Sequence, residues 1–515
     1  MSQVHDTPSC RLVGARRSAR LLLSLAFAFA SLPLCRLARA QGSPTPVLPP
    51  PASPARADAA PVAEVSPLAL EGGAPSGALT AEIVGRRAAE TSYVAKAAQE
   101  SVRSAAARVD QAWVAFLPRL STRFSYSRLS EFTPRTFGEG SLVGTPQPAG
   151  TPNPTPTQAV GLAFPIVPDN WTLEAQLVVP ISDYFLRISQ GYSAATKSHE
   201  AARHDLVAAR SRSATEGKLA YYAWLRARGA AVVAKQSLEA VKTHLRDAKT
   251  QVAAGNASRA DALRAETAVA GAELALERAA NLAELTQKQV AIAMHAKEGE
   301  ALAPGESGDA EVAPFVGSLA QLVAEAKASR YEIRSIDANA EAARKQAGAL
   351  AGGAYPSLAG FGTANYSNPN PRRIPLTNEW FGTWALGVQL TWTPNDTYGA
   401  LASSRDLEAR VSGIEAQRGA IRDGIELEVT QAFQSVREAD FAGDSSRRQL
   451  ASAEEAYRTA RELFTNGRAT STMLTDAETD LTRARLERLN ARIDARVARV
   501  RLEHALGRDA RGDDR

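Results

Sequence analysis

GNASRADALRAETAVAGAELALERA, residues 255–279, and GRATSTMLTDAETDLTRARLERLNA, residues 467–491, align without a gap at an offset of 212. They share Gly255/Gly467, Ala257/Ala469, the triplet Ala265-Glu266-Thr267/Ala477-Glu478-Thr479, Ala272/Ala484, Leu274/Leu486 and Ala279/Ala491. Chance matches alanines in a chain this rich in them. It does not supply a glycine, an Ala-Glu-Thr run and a leucine in one register. The chain is one unit written twice, and a repeat has to be read before any single element.

Working outward, Trp171–Leu177 matches Trp384–Leu390 and Asp183 matches Asp396, at an offset of 213. Pro118 and Leu120 match Pro356 and Leu358 at an offset of 238. Almost the whole length difference, about 25 residues, therefore falls between Pro118 and Trp171. The Pro/Gly/Thr-rich segment Pro134–Pro156 lies there and reads as a long loop between two strands, trimmed in the second copy.

Around these anchors the period is two. Leu120, Thr122, Phe124 and Tyr126 alternate with Arg119, Ser121, Arg123 and Ser125. Trp171, Leu173, Ala175, Leu177, Val179 and Ile181 alternate with Thr172, Glu174 and Gln176. Trp384, Leu386, Val388, Leu390 and Trp392 alternate with Thr383, Gly387, Gln389 and Thr391. A weaker third strand, about 357–367, has Leu358 and Tyr366 separated by small residues. One apolar and one polar face suits either a soluble sheet covered by helices or a lipid-facing barrel. For the barrel, Trp171, Trp384, Trp392 and Tyr126 are candidates for a membrane aromatic girdle. Four strands do not close a barrel, so that reading makes the protein an oligomer.

Between the strand pairs the composition is helical. Tyr184–Val252 contains no proline and predicts a rod on the order of 100 Å, with Asp396–Thr465 as its second copy. The return helices carry alanine at 477, 484, 491, 498 and 505, and Ala265, Ala272, Ala279, Thr286 and Ala293 in the first copy. A seven-residue period of small side chains predicts a seam where helices approach closely.

Arg11, Arg16, Arg17 and Arg20, the apolar run Leu21–Leu34 and the Ala38-Arg39-Ala40 site predict a secretory signal peptide over residues 1–40. Lipidation of Cys35 is an alternative, disfavoured by Leu34 before it. Residues 41–66 form a Pro/Ala-rich linker. The formal charge of +5 comes from the leader: without its six arginines and one acid, 54 basic and 54 acidic residues remain. That balance argues against a nucleic-acid footprint. Cys10 and Cys35 are the only cysteines, so the mature chain has no thiol chemistry. No later segment has 18 consecutive apolar residues, the length of a membrane helix. The histidines show no metal-ligand spacing and Gly360-Phe361-Gly362 lacks a dinucleotide loop's third glycine. No cofactor, metal site or catalytic constellation is expected.

With these features in place, the chain over roughly 67–508 resembles the outer-membrane efflux protein family, of which TolC is the best-known member. The resemblance implies a mainly α fold with a small β part. Three copies would share a twelve-stranded outer-membrane β-barrel, four strands per chain, continued by a long α-helical periplasmic tunnel. The units are 67–310 and 311–508, each helix–strand–strand–helix–helix, with a polar tail at 509–515. The implied function is passive export, in tripartite efflux or type I secretion. The implied partners are two further copies, outer-membrane lipid, a periplasmic adaptor and an inner-membrane RND or ABC transporter. The alternative is a periplasmic coiled-coil scaffold or adaptor. In such proteins the turns at the tunnel's periplasmic tips meet the adaptor, which here selects Gly255, Asn256, Gly467 and Arg468. Acids follow six and nine residues after the second-copy glycine and line the entrance. Met473 stands at the first position and Asp476 at the second, and Asp261 is the first-copy acid. Asp476 also reads as a solvated acid favoured by a helix N-terminus.

The insertion supplies a test. If it is extracellular, protease added to intact cells cleaves near Phe137. Protection there, with cleavage only after permeabilisation, inverts the topology.

Overall fold

A computed structural model describes residues 78–130, 166–297, 299–300, 302–306, 312, 315 and 317–509. The expected leader (1–40), linker (41–66), Pro134–Pro156 insertion and residues 510–515 of the tail lie outside the described residues, as does the 310/311 boundary between the units.

Each copy opens with a short helix and a longer one: α1 (Ala81–Thr91) and α2 (Tyr93–Val114), then α5 (Leu319–Ser329) and α6 (Tyr331–Ala351). The sequence predicts one helix here. The break has no proline or glycine. At Ser92 the hydroxyl caps Val94 N–H and accepts from Ser213 of a distant helix, so a tertiary contact makes the boundary. At Arg330 the backbone is extended, and its guanidinium pairs with Glu332 and Glu428 and donates to His504 O.

Two strands follow in each copy: β1 (Arg119–Arg128) and β2 (Asp169–Val179), β3 (Ser357–Asn368) and β4 (Phe381–Thr391). They form one antiparallel sheet in the order β1-β2-β3-β4. Its register sorts the side chains. Leu120 faces Leu177, Phe124 faces Leu173, and Tyr126 faces Trp171. Leu358 faces Leu390, Gly360 faces Val388, and Ala364 faces Trp384. Every apolar alternation read from the sequence therefore lands on the same side. The small residues of β3 make room rather than weaken it. Leu386 lies over Gly362, and on the polar side Phe361 lies over Gly387, where an added Cβ would sit 2.7 Å from the ring.

Among the described residues no helix packs along either face of this sheet. All of β1 is exposed, and Trp384 and Leu386 are 73% and 77% exposed. The soluble-sheet alternative needs a helical cover, and the described helices do not provide one.

After a π-helical turn (Tyr184–Ile188) comes α3 (Ser189–Ala253), returned by α4 (Arg259–Ala293); the second copy gives α7 (Pro394–Thr465) and α8 (Ser471–Ala505). The 65 and 72 residues of α3 and α7 make rods of about 100 and 110 Å. Among the described residues no helix is long and apolar enough to cross a membrane. The helix α4 packs along α3, α8 along α7, and α3 against α8, while α2 and α6 pack beside α3 near the sheet.

Three apolar clusters hold the rods. One joins Tyr221, Trp224 and Leu225 of α3 to Val84, Val290, Leu489 and Ile493. A second joins Leu322 and Ile333 to Val429 and Val436 of α7 and Leu502 of α8. The third joins the far ends of both hairpins through Ala248, Ala265, Ala460, Phe464 and Leu474. The alanine seam is buried where it was expected: Ala484, Ala491, Ala498 and Ala505 on α8, and Ala265 and Thr286 on α4, with Ala272, Ala279, Ala293 and Ala477 half-buried.

A close seam tolerates no added bulk. Ala491→Leu is expected to destabilise the helical part by about 1–3 kcal/mol. Asn490→Leu, on the exposed side of the same turn, should stay within roughly 0.5 kcal/mol. Thermal unfolding followed by circular dichroism compares them; equal midpoints would move the seam elsewhere.

Candidate functional site

The end furthest from the sheet consists of two turns of the same construction. At the end of α3, Gly255 has φ +79° and Asn256 N–H donates to Gln251 O at 2.9 Å. At the end of α7, Gly467 has φ +69° and Arg468 N–H donates to Leu463 O at 2.8 Å. Both are helix ends closed by a left-handed residue, with the six-to-one hydrogen bond that satisfies a terminal carbonyl. Glycine is required here by its dihedral, since any other residue pays for positive φ. Crowding plays no part: a Cβ on either glycine would meet nothing within 4 Å. The turns are thus open to solvent, with Asn256 and Arg468 exposed beside them.

The return helices then start differently. In the first copy Ser258 caps α4: its hydroxyl accepts from Asp261 N–H, and the Asp261 carboxylate accepts from Ser258 N–H at 3.1 Å and from its hydroxyl at 2.7 Å. This reciprocal pair is a capping box. The bonds from Ser258 hold the Asp261 carboxyl below the usual carboxylate range, and Arg264 lies 3.6 Å away. In the second copy Thr470 caps Met473 N–H at 3.3 Å. Met473 occupies the position of Asp261 and is 48% exposed. Asp476 lies exposed one turn deeper in α8. Of the two acids singled out from the sequence, one is engaged in its own helix cap and the other is free to face outward.

The two tips are brought together by a contact that the sequence did not reveal. His244 of α3 is buried, with Nδ1 3.1 Å from Glu478 Oε2 and Nε2 3.1 Å from Ser471 Oγ, both on α8. The Phe464 ring meets the imidazole edge-on at 5.2 Å. Spacing rules look for partners on one helix, whereas these lie more than 200 residues apart. The one available signal was Glu478 itself, an acid inside the matched Ala-Glu-Thr triplet.

At the opposite end, the Trp171 ring packs at a tilt of 37° against Tyr126, centroids 4.3 Å apart, and at 34° against Phe124 at 5.9 Å. Tyr366 on β3 stacks with Trp380 at 5.1 Å, extending the aromatic group with two residues that were not among the girdle candidates. Trp384 lies inside β4 and Trp392 just past its end. The eight residue steps from Trp384 to Trp392 span about 27 Å along the strand, on the scale of the apolar band of an outer-membrane barrel, about 25 Å.

An open cleft of about 770 Å³ between α2, α3, α6 and α7 is lined by Ala194, Ile336, Ile414, Arg108 and Glu332 among others. Among the described residues no group of three His, Cys, Asp or Glu could hold a metal ion.

Comparison with known proteins agrees with this architecture. No curated protein sequence matches the chain. Among solved structures it is similar to the outer-membrane channel OprN (TM-score 0.67, 18% identity, 83% of this chain and 89% of that one). It is also similar to the outer membrane protein VceC of Vibrio cholerae (TM-score 0.64, 19% identity, 83% and 96%). A third is the MtrE outer membrane channel of Neisseria gonorrhoeae (TM-score 0.63, 19% identity, 83% and 88%). At these identities the likeness is one of fold. The sequence pattern of the outer membrane efflux proteins matches residues 87–294 and 322–508, one block in each copy of the repeat. With both halves matched and the duplicated strand pair and hairpin in place, the chain belongs to the outer membrane efflux protein family.

Proposed function

We propose that three copies of this chain form the outer-membrane duct of a tripartite export assembly. The observation that carries the reading is the sheet, which among the described residues has an apolar face without a helical cover and unpaired strands at both edges. Backbone groups in a bilayer must be satisfied within the protein, so the edges call for further copies and the apolar face for lipid. The paired aromatics Tyr126 and Trp171, with Trp384 and Trp392, then form the girdles. The helices continue the barrel as a periplasmic tunnel. A soluble scaffold or adaptor has no use for such a sheet.

At the far end, Gly255, Asn256, Gly467 and Arg468 present open turns to a periplasmic adaptor, which joins the duct to an inner-membrane transporter of the RND or ABC class. The duct is passive, and the energy comes from these partners. Asp476 supplies a ring of charge at the entrance that favours cations over anions. Met473 stands next to it as an uncharged side chain, and Asp261 is occupied by its cap.

The assembly is tested by fractionating membranes and running the protein unheated on a denaturing gel. A trimer in the outer-membrane fraction is expected, and a soluble monomer ends the duct reading. In planar bilayers, Asp476→Ala is expected to lower cation preference; unchanged selectivity removes Asp476 from the entrance.

A further inference from the structure

On the polar face of the sheet the side chains fall into rows across the four strands. Ser121, Gln176, Thr363 and Ala385 form one row, and Arg123, Glu174, Asn365 and Thr383 the next. In that second row Arg123 stands directly opposite Glu174, a cross-strand neighbour of opposite sign. The row beyond it, Ser125, Thr172, Ser367 and Phe381, is polar except for Phe381, and the Arg373 guanidinium lies over that ring at 5.6 Å.

The row nearest the helices breaks this pattern. It reads Arg119, Val178, Phe361 and Gly387. An aliphatic and an aromatic side chain replace the polar ones, and Gly387 leaves the space into which the Phe361 ring lies. Arg119 is exposed, and among the described residues its guanidinium has no ion pair. Beneath this row a cleft of about 560 Å³ opens between the sheet and α2, α3 and α6. Arg119, Val178 and Ala359 line it from the sheet, Tyr192 and Gln346 from the helices. The other two charges in its wall, Asp183 and Arg187, pair with each other at 4.0 Å. Arg119 is therefore the one unbalanced charge in a cleft whose walls are mostly apolar. Through Gly191 and Gln346, which line both, this cleft adjoins the cleft of about 770 Å³ between α2, α3, α6 and α7. Each has the size of a small-molecule site, roughly 300–1,000 Å³.

We propose that this row and the cleft beneath it form a binding station in the wall of the duct for organic anions with an apolar body. A carboxylate or sulfonate pairs with Arg119, whose planar fork donates two parallel N–H bonds to such a group. The apolar body lies over Val178 and reaches the Phe361 ring, two strand spacings or about 10 Å from Arg119. Charge and apolar surface are found together only in this row. One row up, the face is uncharged, and in the row after that the arginine has its glutamate. The inference rests on the duct reading, which turns the polar face inward and sets three such stations around one axis. The site itself is built by a single chain, so its binding and its place in the duct are separable.

Naphthalenesulfonate is the probe. Calorimetric titration of the purified full-length protein reads its binding, and addition on the sheet side of a planar bilayer reads its block of the current. Arg119→Gln is expected to weaken both roughly tenfold, with Arg119→Lys recovering part of the loss. Phe361→Ala should weaken both several-fold. Removing the balanced pair together, Arg123→Gln with Glu174→Gln, should leave both unchanged. Methanesulfonate, which has the acid without the body, and naphthylmethylammonium, which has the body with the opposite charge, should bind far more weakly. Unchanged affinity in Arg119→Gln overturns the site. Methanesulfonate binding as tightly as naphthalenesulfonate, or no effect of Phe361→Ala, overturns the class of ligand. Binding without block, in a protein that runs as a trimer, removes the station from the conducting path. A monomer on the unheated gel overturns the duct reading and leaves the calorimetric result to decide the site.

Discussion

The antiparallel register of four strands places one continuous apolar surface on a sheet that cannot close on itself. Leu120, Leu177, Leu358 and Leu390 lie on the same side because the pairing of β1 with β2 and β3 with β4 is in phase with the alternation of each strand. A slip of one residue in any pair would turn that strand's leucines onto the polar side. The rest of the architecture serves this sheet. A strand pair reaching into a membrane has to be carried by helices outside it, and a sheet shared between copies needs each copy to contribute equal, similarly oriented parts. Duplication meets that need: two hairpins of strand and two hairpins of helix, with the helices leaving the sheet from the same end.

Periodicity made most of this legible. The alternations at 120–126, 171–181 and 384–392 needed only local reading, because a half-lipidic sheet imposes its period on every strand. The long rods and the alanine seam were equally visible, since each follows from what a single helix face must bury. The third strand read weakly because its small residues answer to the strands beside it: Gly362 accommodates Leu386, and Gly387 accommodates Phe361. That relation is not contained in either segment alone. The division of each opening helix at Ser92 and Arg330 was hidden for the same reason. Ser92 stops a helix with help from Ser213, and nothing around residue 92 announces residue 213.

The turns at the tips were legible in position, and the contacts of the side chains around them were not. The repeat register located Gly255 and Gly467 together, and their shared backbone geometry is what a shared glycine encodes. The register could not tell how each neighbouring side chain is used. His244 carried no spacing signal because its partners belong to the other copy, and its counterpart in that copy is an alanine.

The beginning of the return helices shows how such a departure changes electrostatics without changing fold. Position 261 and position 473 occupy the same place, the third residue after a hydroxyl cap. With aspartate there, the carboxylate closes a capping box and lies near Arg264, so its charge is taken up by the helix start. With methionine there, Thr470 caps alone, and the copy's acid appears one turn later at Asp476, on an exposed face. The two copies thus carry one acid each in this region, and only the second offers its charge outward. A duct assembled from these chains would carry one such carboxylate per chain at this level rather than two. Moving an acid by three residues, from a cap to a face, sets that number.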